Sequence, residues 1–252
     1  MTIVAPVFLP AIALDTERMM VERLDLGPLA LPPELARAEG GWKGAPVVIE
    51  TRAYVGGAVA YARFARVWQP GMEPGAGLEI GNYLVLGRPD LALPVLGADL
   101  VGMGPRGRML AADLSPLLPP GAARDRQLAP LADRAAARAR LTPGGALPKW
   151  CARFFSPHAL FVRPGADELP AAVAELDEFP RVFVALALDA TPDAPAAPPR
   201  RTQSVHDEYL AAHRTDDKGL GMLARMFGDA WAQRYLDEVL FPLELPAPRA
   251  VG

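Results

Sequence analysis

The chain has 252 residues, of which 51% are hydrophobic and 22% charged; that supports a sizeable core and argues against global disorder. A formal net charge of −3 speaks against a dedicated nucleic-acid binder, and no apolar run is long enough to span a bilayer. Cys151 is the only cysteine, so no internal disulfide forms and a reducing cytoplasm is the expected compartment.

The apolar first ten residues lack the basic leader of a secretory signal. Residues 16–24 read as a helix, with Met19, Met20 and Leu24 at helical spacing. Gly27-Pro28 and Pro32-Pro33 punctuate the segment after it. Residues 47–49 and 60–68 read as strands. Residues 79–86 alternate so that Asn82, Leu84 and Leu86 share one face. Residues 93–101 are apolar around a single acid, Asp99. Such an acid is expected to be buried or to line an apolar pocket, where desolvation raises its pKa and equips it to donate a proton. The ordinary alternative is a turn aspartate bonded to its own backbone.

Further strands are expected at residues 108–114, 158–163 and 181–188, the last with Val182, Val184 and Leu186 on one face. Short connections favour antiparallel neighbours. Residues 128–141 are rich in Ala and Arg and read as a helix. Residues 189–200 form a Pro-rich exposed loop within one domain of residues 1–252, because the chain after it is too short to fold well alone. Ser204 is placed to cap a helix running to about His213, and Thr215 or Asp216 the next. Leu220, Leu223 and Phe227 share a face that Trp231, Tyr235 and Val239 continue past a break at Gly228. The expected architecture is a three-layer α/β/α sandwich with a central antiparallel sheet and a helical C-terminus.

Charge is unevenly spread. Residues 121–163 hold eight basic side chains, Arg134, Arg138, Lys149 and Arg153 among them, against the acids Asp125 and Asp133. Any one of these cations can be a solvated flank, but together they suit an acidic partner. Other chemistries find little support. His158, His206 and His213 have no zinc-finger spacing with Cys151, so no metal site is expected. No GxSxG, P-loop or dinucleotide fingerprint is present. A Cys151–His158 nucleophile pair is conceivable but nonspecific, and a packed thiol is the plainer reading.

Four segments together are more specific. They are Pro94 to Asp99 (P-x-x-G-x-D), Asp113-Leu114-Ser115-Pro116 (D-L-x-P), Phe155 to Pro164 (F-S-x-x-x-L-F-x-R-P), and Asp216-Asp217-Lys218 with Phe227 to Phe241 after it (F-G-x-x-W-A-x-R-Y-x-x-x-V-L-F). In order and spacing, residues 79–241 resemble the ferredoxin-dependent bilin reductases. The resemblance implies an antiparallel sheet between helical layers, with biliverdin or a related bilin between the sheet and the C-terminal helices. It implies no bound flavin, nicotinamide or metal. Electrons would come singly from reduced ferredoxin, through radical intermediates.

The resemblance also assigns roles. Asp99 matches the family's central acid and Asp217 the acid on the facing helical side. Arg163 and Lys218 match positions that hold propionates, since carboxylates on a buried apolar body need cationic partners. Ser156 is expected in substrate binding. Asn82 stands where phycocyanobilin-forming members carry histidine, and would orient Asp99 or a bridging water. Gln69 is the nearest match to a glutamate of those members and is expected, with Ser156, to bind substrate. Asparagine and glutamine hydrogen-bond but do not titrate, so the product is left open. Ferredoxin is expected to dock near Arg134, Arg138, Lys149 and Arg153, on a monomer. A non-reducing bilin carrier and a reductase of a chlorophyll-derived linear tetrapyrrole are the alternatives.

Overall fold

The computed structural model describes residues 8–147, 151–191, 199–216 and 218–245, of which 199–202, 216 and 218 are described in backbone only. In chain order, helix α1 (Leu9–Leu24) leads through β1 (Gly27–Leu29) and the short α2 (Pro33–Ala36) into β2 (Arg37–Trp42), β3 (Ala45–Gly56), β4 (Val59–Trp68), β5 (Leu78–Gly87), β6 (Val95–Met103) and β7 (Arg108–Ser115). Helices α3 (Ala122–Ala132) and α4 (Ala135–Arg138) precede the edge strand β8 (Leu160–Val162). Helices α5 (Leu169–Asp189), α6 (Pro199–Asp216), α7 (Lys218–Phe227) and α8 (Asp229–Tyr235) complete the chain, with a π-helical turn over Leu236–Leu240.

The strands form one antiparallel sheet in the order β1-β3-β4-β5-β6-β7-β8, with β2 also paired to β3. Helices cover both faces, which is why β4 and β5 are buried almost without alternation. On one face Leu9, Ala13 and Met20 of α1 and Leu176, Phe179 and Phe183 of α5 pack on Phe64, Tyr83 and Leu100. Helix α1 crosses β5 closely: a side chain on Gly81 would meet the Leu9 carbonyl oxygen and Ala13. The buried carboxylate of Glu79 accepts the Leu9 amide at 3.3 Å and pins the start of that helix.

On the other face Tyr209, Leu223, Met226, Tyr235 and Val239 pack on Ile49, Tyr61, Leu84 and Leu86. Two hydroxyls fasten this layer to the sheet. Tyr61 donates to the Val239 carbonyl at 2.6 Å, and Thr51 shares a 2.7 Å hydrogen bond with Tyr235. The sandwich and the antiparallel sheet agree with the sequence reading, as does the break at Gly228, whose φ of 93° suits glycine.

Several local expectations are corrected. Residues 181–188 are not a strand but the last part of α5. The alternation of Val182, Val184 and Leu186 spans too short a window to decide. Over the whole element, Ala172, Leu176, Phe179 and Phe183 recur at helical spacing, and Pro180 is carried inside. The helix expected at 128–141 starts earlier and breaks at Asp133 and Arg134 into α3 and α4. Ser204 lies inside α6 rather than at its cap. The strand at 158–163 shrinks to β8. Most of the Pro-rich loop, 192–198, lies outside the described residues. Asp99 is not a turn residue: it sits mid-strand in β6. No described helix is long and apolar enough to cross a membrane.

Candidate active site

Strand register brings three polar side chains to the sheet face beneath α6. Asn82 on β5 is the direct partner of Asp99 on β6 and, on its other side, of Ala65 on β4. Arg63 is two residues before Ala65, so all three point to the same face. Their contacts run in a line. Arg63 donates to the Asn82 side-chain oxygen, and the Asn82 amide nitrogen donates to Asp99 Oδ1 and, at 3.2 Å, to the Ala98 carbonyl. Next along the sheet, Asp113 on β7 faces Gly97. It accepts from the Ser115 hydroxyl at 2.7 Å, the Ser156 hydroxyl at 2.5 Å and the Ser156 amide at 2.9 Å.

These groups floor a small cavity that opens to solvent. Tyr209 and His213, one turn apart on α6, form its roof together with Phe155 and Phe241. Tyr209 and His213 stack with centroids 3.9 Å apart; Phe154 lies 5.5 Å from Tyr209, and Phe241 5.0 Å from His213. A polar floor under an aromatic roof has the chemistry that suits a flat conjugated ligand.

Its electrostatics follow from desolvation. Asp99 is open to a water-sized molecule from the cavity, yet protein surrounds it at longer range. Burial pushes its carboxyl above the usual range; the Asn82 hydrogen bond and the Arg63 charge oppose that only in part. Burial likewise lifts Asp113 to about 6 against its serine donors. It drops His213 to about 4, opposed by the Tyr209 carbonyl bonded to Nδ1 at 2.8 Å. The roof histidine is therefore neutral at pH 7, and burial favours the protonated form of both cavity acids, Asp99 and Asp113.

The expected site residues are only partly brought together. Asn82 and Asp99 meet. Ser156 is buried on Asp113, and both its donors are spent there. Gln69 lies beyond the end of β4, where its side chain accepts from Leu78 N at 2.8 Å and staples the β4–β5 turn. Arg163 is exposed just past β8, on the same sheet face as Asp99 but two strands away, and donates to the Gly144 carbonyl at 3.2 Å. Asp217 lies outside the described residues, as does the Lys218 side chain. Sequence reasoning missed Arg63, which is 1% exposed. It carries the same signal as Asp99, a lone charge in an apolar run (Tyr61-Ala62-Arg63-Phe64-Ala65). Sequence reasoning gives Asp113, Tyr209 and His213 no role in such a pocket either. Among the described residues no three His, Cys, Asp or Glu side chains form a metal-ligand set. Cys151 is buried, and its thiol is pushed up by that burial, which favours the inert thiol over the thiolate.

The family model described as ferredoxin-dependent bilin reductase matches residues 14–242. The chain belongs to this family. The phycoerythrobilin:ferredoxin oxidoreductase of Gloeobacter violaceus is 30% identical over 235 residues, 90% of this chain and 92% of that relative. The phycocyanobilin:ferredoxin oxidoreductase of Prochlorococcus marinus strain MIT 9313 is 28% identical over 176 residues, 69% of this chain and 64% of that relative's length. Among solved structures, phytochromobilin synthase from tomato in complex with biliverdin superposes with a TM-score of 0.76 at 15% identity, covering 92% of this chain and 82% of that one. That likeness establishes the bilin-reductase fold, a sheet between two helical layers. The matched span includes every strand of the sheet and all of the described cavity.

Proposed function

We propose that this chain reduces a linear tetrapyrrole of the biliverdin class, taking electrons one at a time from reduced ferredoxin and protons from its own side chains. Saturating one double bond takes two electrons and two protons. The first electron makes the conjugated pigment more basic, and a neutral carboxylic acid beside it becomes a competent donor. Asp99 fills that role. The observation that carries the reading is its position: desolvated, in the cavity, and held by Asn82 on one oxygen. Asp217 is the second donor in this reading, with Arg163 and Lys218 binding the propionates. No flavin, nicotinamide or metal takes part.

The docking surface for ferredoxin is the Arg-rich flank around α3 and α4. Of the cations expected there, Arg134 is ion-paired with Glu175 and Arg153 with Glu208. Arg138 turns inward to the Leu131 carbonyl and over the Phe179 ring, and Lys149 lies outside the described residues. Arg126 and Arg140 are exposed and carry no ion pair among the described residues, so they are the better anchors for an acidic partner.

The test is anaerobic reduction of biliverdin by ferredoxin with wild type and Asp99→Asn. The variant should bind bilin normally by visible absorption but turn over about 10²- to 10⁴-fold more slowly. Full turnover by the variant removes Asp99 from the mechanism. A wild-type protein that binds biliverdin and leaves it unreduced is a carrier.

A further inference from the structure

Arg63 is a buried cation with no carboxylate within ion-pair distance among the described residues. Its Nε has no hydrogen-bond partner among them either. A buried charge held only by neutral groups, the Asn82 oxygen and the Tyr235 hydroxyl, is costly, and its position in the cavity floor suggests a use. We propose that Arg63 is a positioning residue: its guanidinium fixes which way round the Asn82 amide sits, and Asn82 thereby assigns different tasks to the two oxygens of Asp99.

Donor and acceptor identity fixes the orientation of the Asn82 amide. A guanidinium only donates and a backbone carbonyl only accepts. Asn82 touches one of each, Arg63 on one side and Ala98 O on the other. Only one orientation satisfies both: oxygen toward Arg63, nitrogen toward β6. The flipped amide would set donor against donor and acceptor against acceptor. With the nitrogen fixed, Asn82 must donate to Asp99 Oδ1. That oxygen is therefore an acceptor, and among the described residues Asp99 has no other hydrogen bond. Its acid proton belongs on Oδ2. Asn82 thus locks the carboxyl rotor, and the cation behind it strengthens the amide as a donor. A neutral residue at position 63 would leave Asn82 free to flip and Asp99 free to turn its proton away from the substrate.

The same line tunes acidity. The charged and titratable groups on this face are Arg63 on β4, Asp113 on β7, Tyr209 and His213 on α6, and Tyr235 on α8, which bonds Arg63, while Tyr83 on β5 is felt from the opposite face. His213 is neutral at pH 7 because burial disfavours its charged form, so Arg63 is the cation opposing the desolvation of Asp99. It keeps a protonated acid from becoming too weak to donate.

The proposal rests on Asp99 being the proton donor, so its test uses ligand-free protein. Aspartate labelled with 13C at Cγ is titrated by NMR, with the Asp99 signal assigned by its loss in Asp99→Asn. Arg63→Met should raise the Asp99 midpoint by about one pH unit, a tenfold change in acidity, and Arg63→Lys should restore most of it. Asn82→Ala should raise the midpoint too, and Arg63→Met added to it should shift it by less than in wild type. If Arg63→Met does not fold, Arg63→Gln keeps a side-chain N–H toward Asn82 without the charge, and should shift the midpoint in the same direction. An unmoved midpoint in a folded variant overturns the proposal. So does an equal shift with and without Asn82, which would mean a direct field rather than a positioned amide. Normal titration shifts in a protein that binds no bilin would sink the proposed function and leave the Arg63 proposal standing.

Discussion

Ser156 grips Asp113 twice, through its amide at 2.9 Å and its hydroxyl at 2.5 Å. The pair ties the segment carrying Phe154 and Phe155 to β7, and Phe155 is part of the cavity wall. Two residues that are close neighbours of the slot thus serve first to build it.

The state of Asp113 should make stability depend on pH. Its folded pKa, about 6, lies above the ordinary 3.8 because burial outweighs the hydrogen bonds. The folded protein then holds this proton more tightly than the unfolded chain. The contribution is complete below about pH 4, is lost as pH rises through 6, and is flat above that. A shift of this size corresponds to roughly 3 kcal/mol. Urea unfolding of wild type and Asp113→Asn should show the wild type losing about 2–3 kcal/mol relative to the variant between pH 4 and pH 7. Parallel stability curves would mean that Asp113 is not desolvated as described.

His206 predicts the opposite slope. It is fully buried on α6, and neither ring nitrogen has a partner among the described residues. Burial lowers its pKa to about 4 from 6.5, so the folded state favours the neutral ring. Its stability is present above pH 6.5 and is lost as pH falls toward 4. His206→Leu removes two unsatisfied polar atoms and should stabilise the protein by about 1–2 kcal/mol at pH 7. The gain should grow on acidification. Because Asp113 acts in the same window with the reverse sign, only difference curves against each variant separate them. A His206→Leu protein that melts earlier at neutral pH would refute this account.

How much of the fold is legible in the sequence depends on how far each signal extends. Strands β4, β5 and β7 and the α7–α8 face repeat their pattern long enough to be read directly. β6 does not read as a strand because Pro94, Gly97 and Gly102 dilute its β character. α5 is misread because Pro180 invites a boundary and the residues after it alternate by chance. The Asn82–Asp99 pairing needs strand register, which spacing alone does not give. Arg63 and Asp113 are hidden for a related reason. Each stands in an apolar strand next to partners far away in sequence, Asn82 at 19 residues and Ser156 at 43.

Gly97 offers a test of the slot itself. A side-chain carbon there would sit 3.3 Å from the Tyr209 hydroxyl oxygen, filling the space between floor and roof. Valine carries its γ carbons beyond that point, so Tyr209 must give way and Gly97→Val should lower the melting temperature, by about 1–3 kcal/mol of stability, while leaving the protein folded. Bilin affinity should fall at least about tenfold as ligand and side chain compete for one volume. Binding is read by the absorption of added biliverdin. Unchanged affinity in the folded variant would place the pigment elsewhere.

The partner surface is best tested by charge reversal. If ferredoxin docks on the Arg-rich flank, Arg126→Glu with Arg140→Glu should slow its encounter without touching the cavity, because neither residue lines it. The KM for ferredoxin should rise about 3- to 10-fold at low ionic strength, with kcat at saturating ferredoxin and bilin affinity unchanged. The difference should shrink in about 0.5 M salt, where charges more than a few ångströms apart are screened. Reversing Arg153 is a poorer probe, since it also breaks the contact with Glu208 and disturbs the segment that carries Phe155. A double reversal that leaves the low-salt KM unaltered would move the docking site off this face. A kcat that falls while KM holds would mean that these arginines act on the bound complex rather than on its formation.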